Sequence, residues 1–490
     1  MSEASFPKKF IPSEEFNSNL SPEALIEHAR KAFSMESALR AYPRCRETTI
    51  ENGIRVVSES NGSHSATVGV FMDTGSRYES DPTTNGVAHF VEHMLFKGTT
   101  RRTRRQLEIE VENFGAQLNA YTTRETTVYS MKVVRPHIGR ALDILGDMLT
   151  NSLFHPRAVE SERSTILREA RSVEENLQEV VMDHLHGISF PDQAIGRLIL
   201  GTDDHIKTLT KQMMHDYVRN NFVGERMVVV AAGDVDHEEL VQLTRKHLGH
   251  VPTTHTAGSN TSKGSAEFNP TMGVLPLPGL DATYMAYAFQ TAGWKDVDLY
   301  PLFCFQMMLV NYLGGDTAAL RHSNPRIREL AELNVTRSMS PFNTIYSDTG
   351  LFGLYMVHEP CEPEELRAAN EIAVRNLLLC ASECSEEELQ QAKNVLKLSL
   401  LGQLDGSTAS FEDIGRNYLA FGFREHPMDV LAQIEKVTPE DIARLGAKYF
   451  LNKDPTVMAV GVGAEDLQNY DWWRRPVLQQ TSSHSLHASH

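Results

Sequence analysis

The pentapeptide His89-Phe90-Val91-Glu92-His93 sets two imidazoles four residues apart with a carboxylate beside the second. On a helix, positions four apart lie on one face, so both rings can reach a single ion. Glu92, three residues after His89, then lies near enough to act on a water at that ion. The order is His-x-x-Glu-His, the inverse of the commoner His-Glu-x-x-His zinc motif. The chemistry this spacing suggests is metal-assisted hydrolysis. Histidines four apart also arise by accident in a long chain, so a third ligand has to decide.

A catalytic zinc usually takes three protein ligands, so a carboxylate or histidine should return from a distant segment. Residues 156–185 read as a long helix, amphipathic in its first part, with Val159, Ile166, Leu167 and Val173 on the apolar side. Glu162 and Glu169 are seven apart on it and share a face. One can bind the metal while the other orients a ligand or the water. A solvated helix, with Glu and Arg paired at spacings of three and four, fits the same residues. Spacing does not choose between these readings.

The elements that must position such a site fall into two similar series. In the first, residues 47–59 read as a hairpin turning at Asn52-Gly53, and 66–73 as a strand. Helices are expected near 84–97 and near 103–114, the latter capped by Thr103 and closed by Gly115. Strands near 117–122 and 126–134, helices near 137–151 and 156–185, a strand at 226–232 and a helix from 236 complete the first series. Residues 255–265, rich in Thr, Ser, Gly and Asn, read as linker. The order then returns, with strand 283–290, helices near 297–313 and 325–333, strands 335–346 and 350–358, helices 363–380 and 385–404, and strand 456–462. The second series carries Phe303 to Met308 where the first carries its histidines, so only the first half can hold the metal. The expected fold class is α+β, each half a sheet covered by helices.

Composition narrows the function further. At 490 residues and 41% hydrophobic content the chain can build more than one core. A formal charge of −17 argues against nucleic acid as a main partner, because phosphate binding needs a basic face. It suits a positively charged substrate, or simply solubility. The five cysteines, Cys45, Cys304, Cys361, Cys380 and Cys384, form no Cys-x-x-Cys pair and read as reduced thiols. No apolar run approaches the ~18–20 residues a membrane span requires. Ser21 to Arg40 can form an amphipathic helix carrying Arg30, Lys31 and Arg40, but Glu3, Glu14, Glu15, Glu23, Glu27 and Glu36 are unlike an acid-poor transit peptide. The tail around His484, His487 and His490 reads as disordered and polar.

The stretches Gly86 to Thr99, Phe114 to Glu125, Asp183 to His186, Gly196 to Gly201 and, more weakly, Tyr346 to Tyr355 resemble the M16 family of zinc peptidases, its mitochondrial processing-peptidase branch in particular. The resemblance covers roughly residues 47 to 470. It implies that His89, His93 and Glu169 bind one Zn2+, that Glu92 is the general base and that Glu162 supports the site. It implies two homologous M16-type α/β halves, each a mainly antiparallel sheet covered by helices, facing each other as a shell. The expected boundaries are an N-terminal extension at 1–46, a zinc-binding half at 47–254, a linker at 255–268, an inactive half at 269–470 and a tail at 471–490.

By the same resemblance a substrate lies as an extended strand along Asn119-Ala120, Phe96 receives an apolar residue after the cut, and Glu179 with Asp183 grips an arginine two residues before it. The implied substrates are arginine-containing presequences, and the implied place is the mitochondrial matrix. The implied partner is an α subunit with a glycine-rich loop, which Leu313 to Thr317 is too short to supply here. Core subunits of the cytochrome bc1 complex resemble the same family, so a structural or dual role is one alternative reading. A general oligopeptidase of the family is the other.

Overall fold

The computed structural model describes Leu39 and residues 42–79, 81–255, 263–264, 266–277, 279–314, 325–404 and 406–467. The N-terminal helix expected at 21–40 lies almost wholly outside the described residues, as do the histidine tail and much of the linker and of the 313–317 loop.

Two six-stranded sheets organise the chain. The first contains β1 (Arg46–Thr49), β2 (Arg55–Ser60), β3 (Ala66–Met72), β4 (Gln117–Thr122), β5 (Thr127–Val133) and β6 (Met227–Gly233), in the order β1-β2-β6-β3-β5-β4. The second contains β7 (Met272–Leu275), β8 (Thr283–Thr291), β9 (Tyr312–Leu313), β10 (Thr336–Ile345), β11 (Gly350–His358) and β12 (Thr456–Gly461), in the order β7-β12-β8-β11-β10-β9. Five strands of each correspond one to one. β2 runs parallel to β6 as β7 does to β12, and β6-β3-β5-β4 repeats the antiparallel order of β12-β8-β11-β10. The repeated element order in the sequence is therefore a repeated topology.

The helices of the first half are α1 (Val87–Leu95), α2 (Arg104–Asn113), α3 (Ile138–Asn151), α4 (Pro156–Glu174), α5 (Leu177–Ser189), α6 (Asp203–Thr208), α7 (Lys211–Asn221) and α8 (His237–Leu248). After β8 follow α9 (Leu299–Met308), α10 (Pro325–Leu333), α11 (Pro363–Ser382), α12 (Glu386–Gly402), α13 (Gly406–Ala420), α14 (Pro427–Lys436) and α15 (Pro439–Tyr449). Helix α9 stands where α1 stands in the first half, directly after the equivalent strand. The single helix expected at 156–185 is two helices, broken at Glu175-Asn176. The helix expected at 297–313 ends at Met308, and the chain then enters the short strand β9. None of the described helices is long and apolar enough to cross a membrane.

The break at Glu175-Asn176 has a structural purpose. Helix α5 leaves the first half and lays Val181 and Leu185 on the second sheet, against Ala282, Ala286 and Met458. Reciprocally, α13 lays Phe411, Ile414 and Tyr418 on the first sheet, against Val57, Phe71 and Val230. That is why every residue of β3 is buried rather than alternate ones. The fit is close: a Cβ on Gly415 would come within 2.1 Å of the Phe71 ring. Each half is thus capped by a helix from the other.

Candidate metal centre

Helix α1 carries the two histidines, and its start is held by Glu79 just before it and by a turn more than 100 residues away. Gly86 sits at the N-cap with φ of 91°, in the left-handed region that favours glycine. A Cβ there would also lie 2.4 Å from the Leu200 carbonyl oxygen, so the Gly196–Gly201 turn can pass only a glycine. The buried Glu79 carboxylate accepts hydrogen bonds from Gly86 N (3.0 Å), Ala88 N (3.0 Å) and Asn85 Nδ2 (2.9 Å). Two otherwise orphaned helix donors are satisfied at the positive end of the helix dipole. Glu79→Ala leaves them buried and unpaired, and is expected to cost about 2 kcal/mol or more of stability. Thermal denaturation checks this, with Glu79→Gln the milder change because its amide oxygen still accepts.

Helix α4 crosses α1, and both glutamates lie along its inward stripe with Val159 and Ile166. Glu162 is 4% exposed, which removes the solvated-helix reading for that residue. His93 Nε2 lies 3.1 Å from one oxygen of Glu169, and His89 Nε2 lies 3.5 Å from the other. The two rings are 4.6 Å apart. Nitrogen and oxygen donors each ~2.1 Å from one ion in a tetrahedral set stand about 3.4 Å apart. The two observed spacings, each to a different oxygen of Glu169, are close to that, and His89, His93 and Glu169 offer one ligand atom apiece within 4.8 Å of one another. The donor set, two imidazoles and one carboxylate, suits a divalent ion such as zinc.

The surrounding groups tune these three. Burial pushes the His93 imidazole down, but Glu162 and Glu169 outweigh it and hold its pKa up to about 9. His89 and His93 hold the Glu169 carboxyl well below the ordinary range. Burial raises Glu162, and the hydrogen bonds from His93 and Lys97 more than reverse it. His93 Nδ1 meets Glu162 Oε1 at 2.9 Å, and Lys97 Nζ meets Glu162 Oε2 at 2.7 Å. Glu92 stands outside the ligand set, and its Oε2 is buried without a hydrogen-bond partner among the described residues. The hydroxyl of Tyr129 is likewise buried and unpartnered; its pKa is pushed well up, by burial first and then by the charge of Glu92.

The remaining residues singled out from sequence fall as follows. β4 is an edge strand, so Asn119 and Ala120, which pair with Ser130 and Tyr129 on one side, present backbone on the other. Phe96 directly follows α1, half-buried against the core, with its ring 6.2 Å from that of Tyr129. Glu179 and Asp183 lie one turn apart on α5, but they are not equivalent. Asp183 Oδ1 is paired at 2.8 Å with Arg124. Glu179 is exposed and accepts one bond, from Asn176 Nδ2. Sequence reasoning missed Glu79, Lys97, Tyr129 and Arg124. Only Lys97, one turn beyond His93, had a local signal in its spacing.

Comparison with known proteins agrees with this geometry. The family model for insulinase (peptidase family M16) matches residues 55–203, and that for the peptidase M16 inactive domain matches residues 208–396. The chain is 39% identical over 431 residues to the mitochondrial-processing peptidase subunit beta of Blastocladiella emersonii, covering 87% of this chain and 91% of that protein. It is 40% identical to a probable subunit beta from Arabidopsis thaliana, covering 88% of this chain and 81% of that one. Among solved structures it resembles a chain of complex III2 from Candida albicans, Inz-5 bound, with a TM-score of 0.76 and 20% identity over 88% of this chain and 99% of that chain. A protease from Helicobacter pylori matches with a TM-score of 0.74 and 19% identity over 85% of this chain and 99% of that one. Those two likenesses concern the fold. With both family models matched in order across most of its length, the chain belongs to peptidase family M16.

Proposed function

We propose that this chain is a zinc metalloendopeptidase, the catalytic β subunit of a mitochondrial processing peptidase, which removes arginine-containing N-terminal presequences from imported precursors. The observation that carries the reading is the convergence of His89 Nε2, His93 Nε2 and Glu169 on one point, with the unpaired Glu92 carboxylate alongside. The names of relatives at 38–40% identity, each a mitochondrial-processing peptidase subunit beta, support the processing-peptidase reading; the arginine-containing substrates are what the sequence resemblance implies.

His89, His93 and Glu169 would hold the zinc, which would supply Lewis acidity for the scissile carbonyl and for water. Glu92 takes the water's proton on its free oxygen and returns it to the leaving amine. The open edge of β4 at Asn119-Ala120 aligns the substrate as an added strand through backbone hydrogen bonds, which tolerates many sequences. Phe96 meets the residue after the cut. Arginine two residues before it meets Glu179, with Asp183 held beside it by Arg124. The zinc, the mitochondrial matrix location and an α subunit carrying a glycine-rich loop belong to the same proposal.

The test is cleavage of an arginine-containing presequence peptide by the native assembly isolated through this chain. Cleavage one residue after the arginine, abolished by a chelator and restored by zinc, is expected. An intact, zinc-loaded assembly that cleaves nothing would instead favour a structural role in a respiratory complex. Within that assay, Glu179→Gln is expected to lower kcat/KM for the arginine peptide by about 10- to 100-fold, the value of one charged hydrogen bond. Hydrolysis of a peptide with alanine in that position should be unchanged. Equal losses on both peptides would remove Glu179 from arginine recognition.

A further inference from the structure

Glu162 is a buried carboxylate with a different donor on each oxygen. Lys97 holds Oε2 and His93 Nδ1 meets Oε1. The side chains of Lys97, His93 and Glu162 are only 16%, 20% and 6% exposed, so water competes little for any of the three. Lys97 reaches this position because the chain makes one more turn after α1. Its amide donates to Met94 O at 3.0 Å, and the next residue, Gly98, has φ of 117° and turns the chain away.

We infer that Lys97 is a positioning residue for the metal ligand His93, acting through Glu162. The inference rests on the metal centre proposed above. An ammonium is a donor only, so it fixes one oxygen of Glu162 as an acceptor and sets the rotation of the carboxylate about its last bond. The second oxygen then has one direction left, toward His93 Nδ1. That nitrogen then donates to Glu162, and Nε2, 3.1 Å from Glu169, is the one left to give up its hydrogen to a metal. Lys97 thereby selects the ring orientation, and with it the nitrogen that would ligate a metal.

The other histidine makes the contrast. His89 Nδ1 is buried and has no hydrogen-bond partner among the described residues. Of the two imidazoles, His93 alone is tied down from its far side, so His93 is the anchored ligand and His89 the one that adjusts. Releasing the anchor should therefore weaken metal binding rather than substrate binding.

The experiment uses the full chain in its native assembly and measures zinc affinity by competition with a chromogenic chelator. Lys97→Met is expected to weaken zinc binding 10- to 100-fold, the usual effect of losing such a partner. Lys97→Arg, which keeps a cationic donor, should stay within about threefold of wild type on the same scale. Because Lys97 acts through Glu162, the double variant Lys97→Met/Glu162→Gln should bind zinc no more weakly than Glu162→Gln alone. At saturating zinc, Lys97→Met should lower kcat and leave KM unchanged. Melting of the metal-free proteins reports folding, and Lys97→Gln replaces Lys97→Met if the latter does not fold. Wild-type affinity in Lys97→Met, or losses that add in the double variant, would overturn the inference while leaving the metal centre intact. A wild-type assembly that binds no zinc would overturn both.

Discussion

Glu92→Gln is expected to abolish cleavage while leaving the metal in place, with kcat falling on the order of 10²–10⁴-fold, the usual worth of a positioned general base. The reasoning starts from which atoms converge. His89, His93 and Glu169 are the residues that could hold the metal, and Glu92 is not among them, so an isosteric amide takes nothing from that set. Glu92 Oε2 has no hydrogen-bond partner to lose among the described residues, so the change also leaves the fold undisturbed. What disappears is the ability to accept a proton from water and hand it to the departing amine. Zinc affinity should stay within about threefold of wild type, because second-sphere losses are larger than that only where a ligand's orientation depends on the residue. His93→Ala is the counter-case, since it removes a ligand and should lose metal and cleavage together. Peptide cleavage and zinc content measured on the same preparation separate the two. A Glu92→Gln protein that cleaves at the wild-type rate, or one that loses its zinc, would contradict the assignment.

The part of this centre that was legible in the sequence is the part that is local. His89 and His93 could be read as a pair because four residues is one helical turn, and α1 does span them. Much of the strand and helix order of the first half was legible for the same reason, down to the Thr103 cap of α2 and the Asn52-Gly53 turn. Glu162 and Glu169 could not be sorted by spacing, since seven residues puts both on one face. What distinguishes them is where each meets the histidines: Glu169 lies by the two Nε2 atoms and Glu162 by Nδ1 of His93.

The groups that prepare the site carried no motif of their own. Glu79 caps a helix that begins eight residues later, and Arg124 from the β4–β5 turn takes an oxygen of Asp183 on α5. The break between α4 and α5 was missed because helical residues continue on both sides of it. Only the second half's sheet, onto which α5 turns, supplies the reason. Helices α6, α7, α13, α14 and α15 and strand β7 also went unread. Helix α9 is uniformly apolar, so no change of phase marked its end at Met308.

Arg77→Ala should destabilise the seam between the halves by about 2–3 kcal/mol. Arg77 sits on the short turn after β3 with its side chain fully buried. It makes a two-pronged bond to Asp348 (2.7 and 2.8 Å) in the β10–β11 turn of the second half. It also bonds Glu125 (2.7 Å) in the β4–β5 turn of the first. Glu125 in turn accepts from Ser347 N (2.9 Å) and Ser347 Oγ (2.7 Å). Beside them the buried Tyr346 hydroxyl meets His186 Nε2 at 2.8 Å. One guanidinium therefore joins two turns from different halves, and removing it leaves both carboxylates with only the more distant Lys263, 3.9 Å from Glu125, as a counter-charge among the described residues. Breaking a fully buried pair typically costs about 3–5 kcal/mol; Asp348 is 36% exposed, so water recovers part of that. The β4–β5 turn ends the edge strand that carries Asn119 and Ala120, so its loosening should also raise KM for peptide without changing zinc content. Arg77→Lys keeps the charge but not the fork, and should recover less than half of the loss. Thermal melting and hydrogen exchange across residues 117–133 read both effects. Unchanged melting with unchanged exchange in Arg77→Ala would mean that the reciprocal packing of α5 and α13 alone holds the halves together.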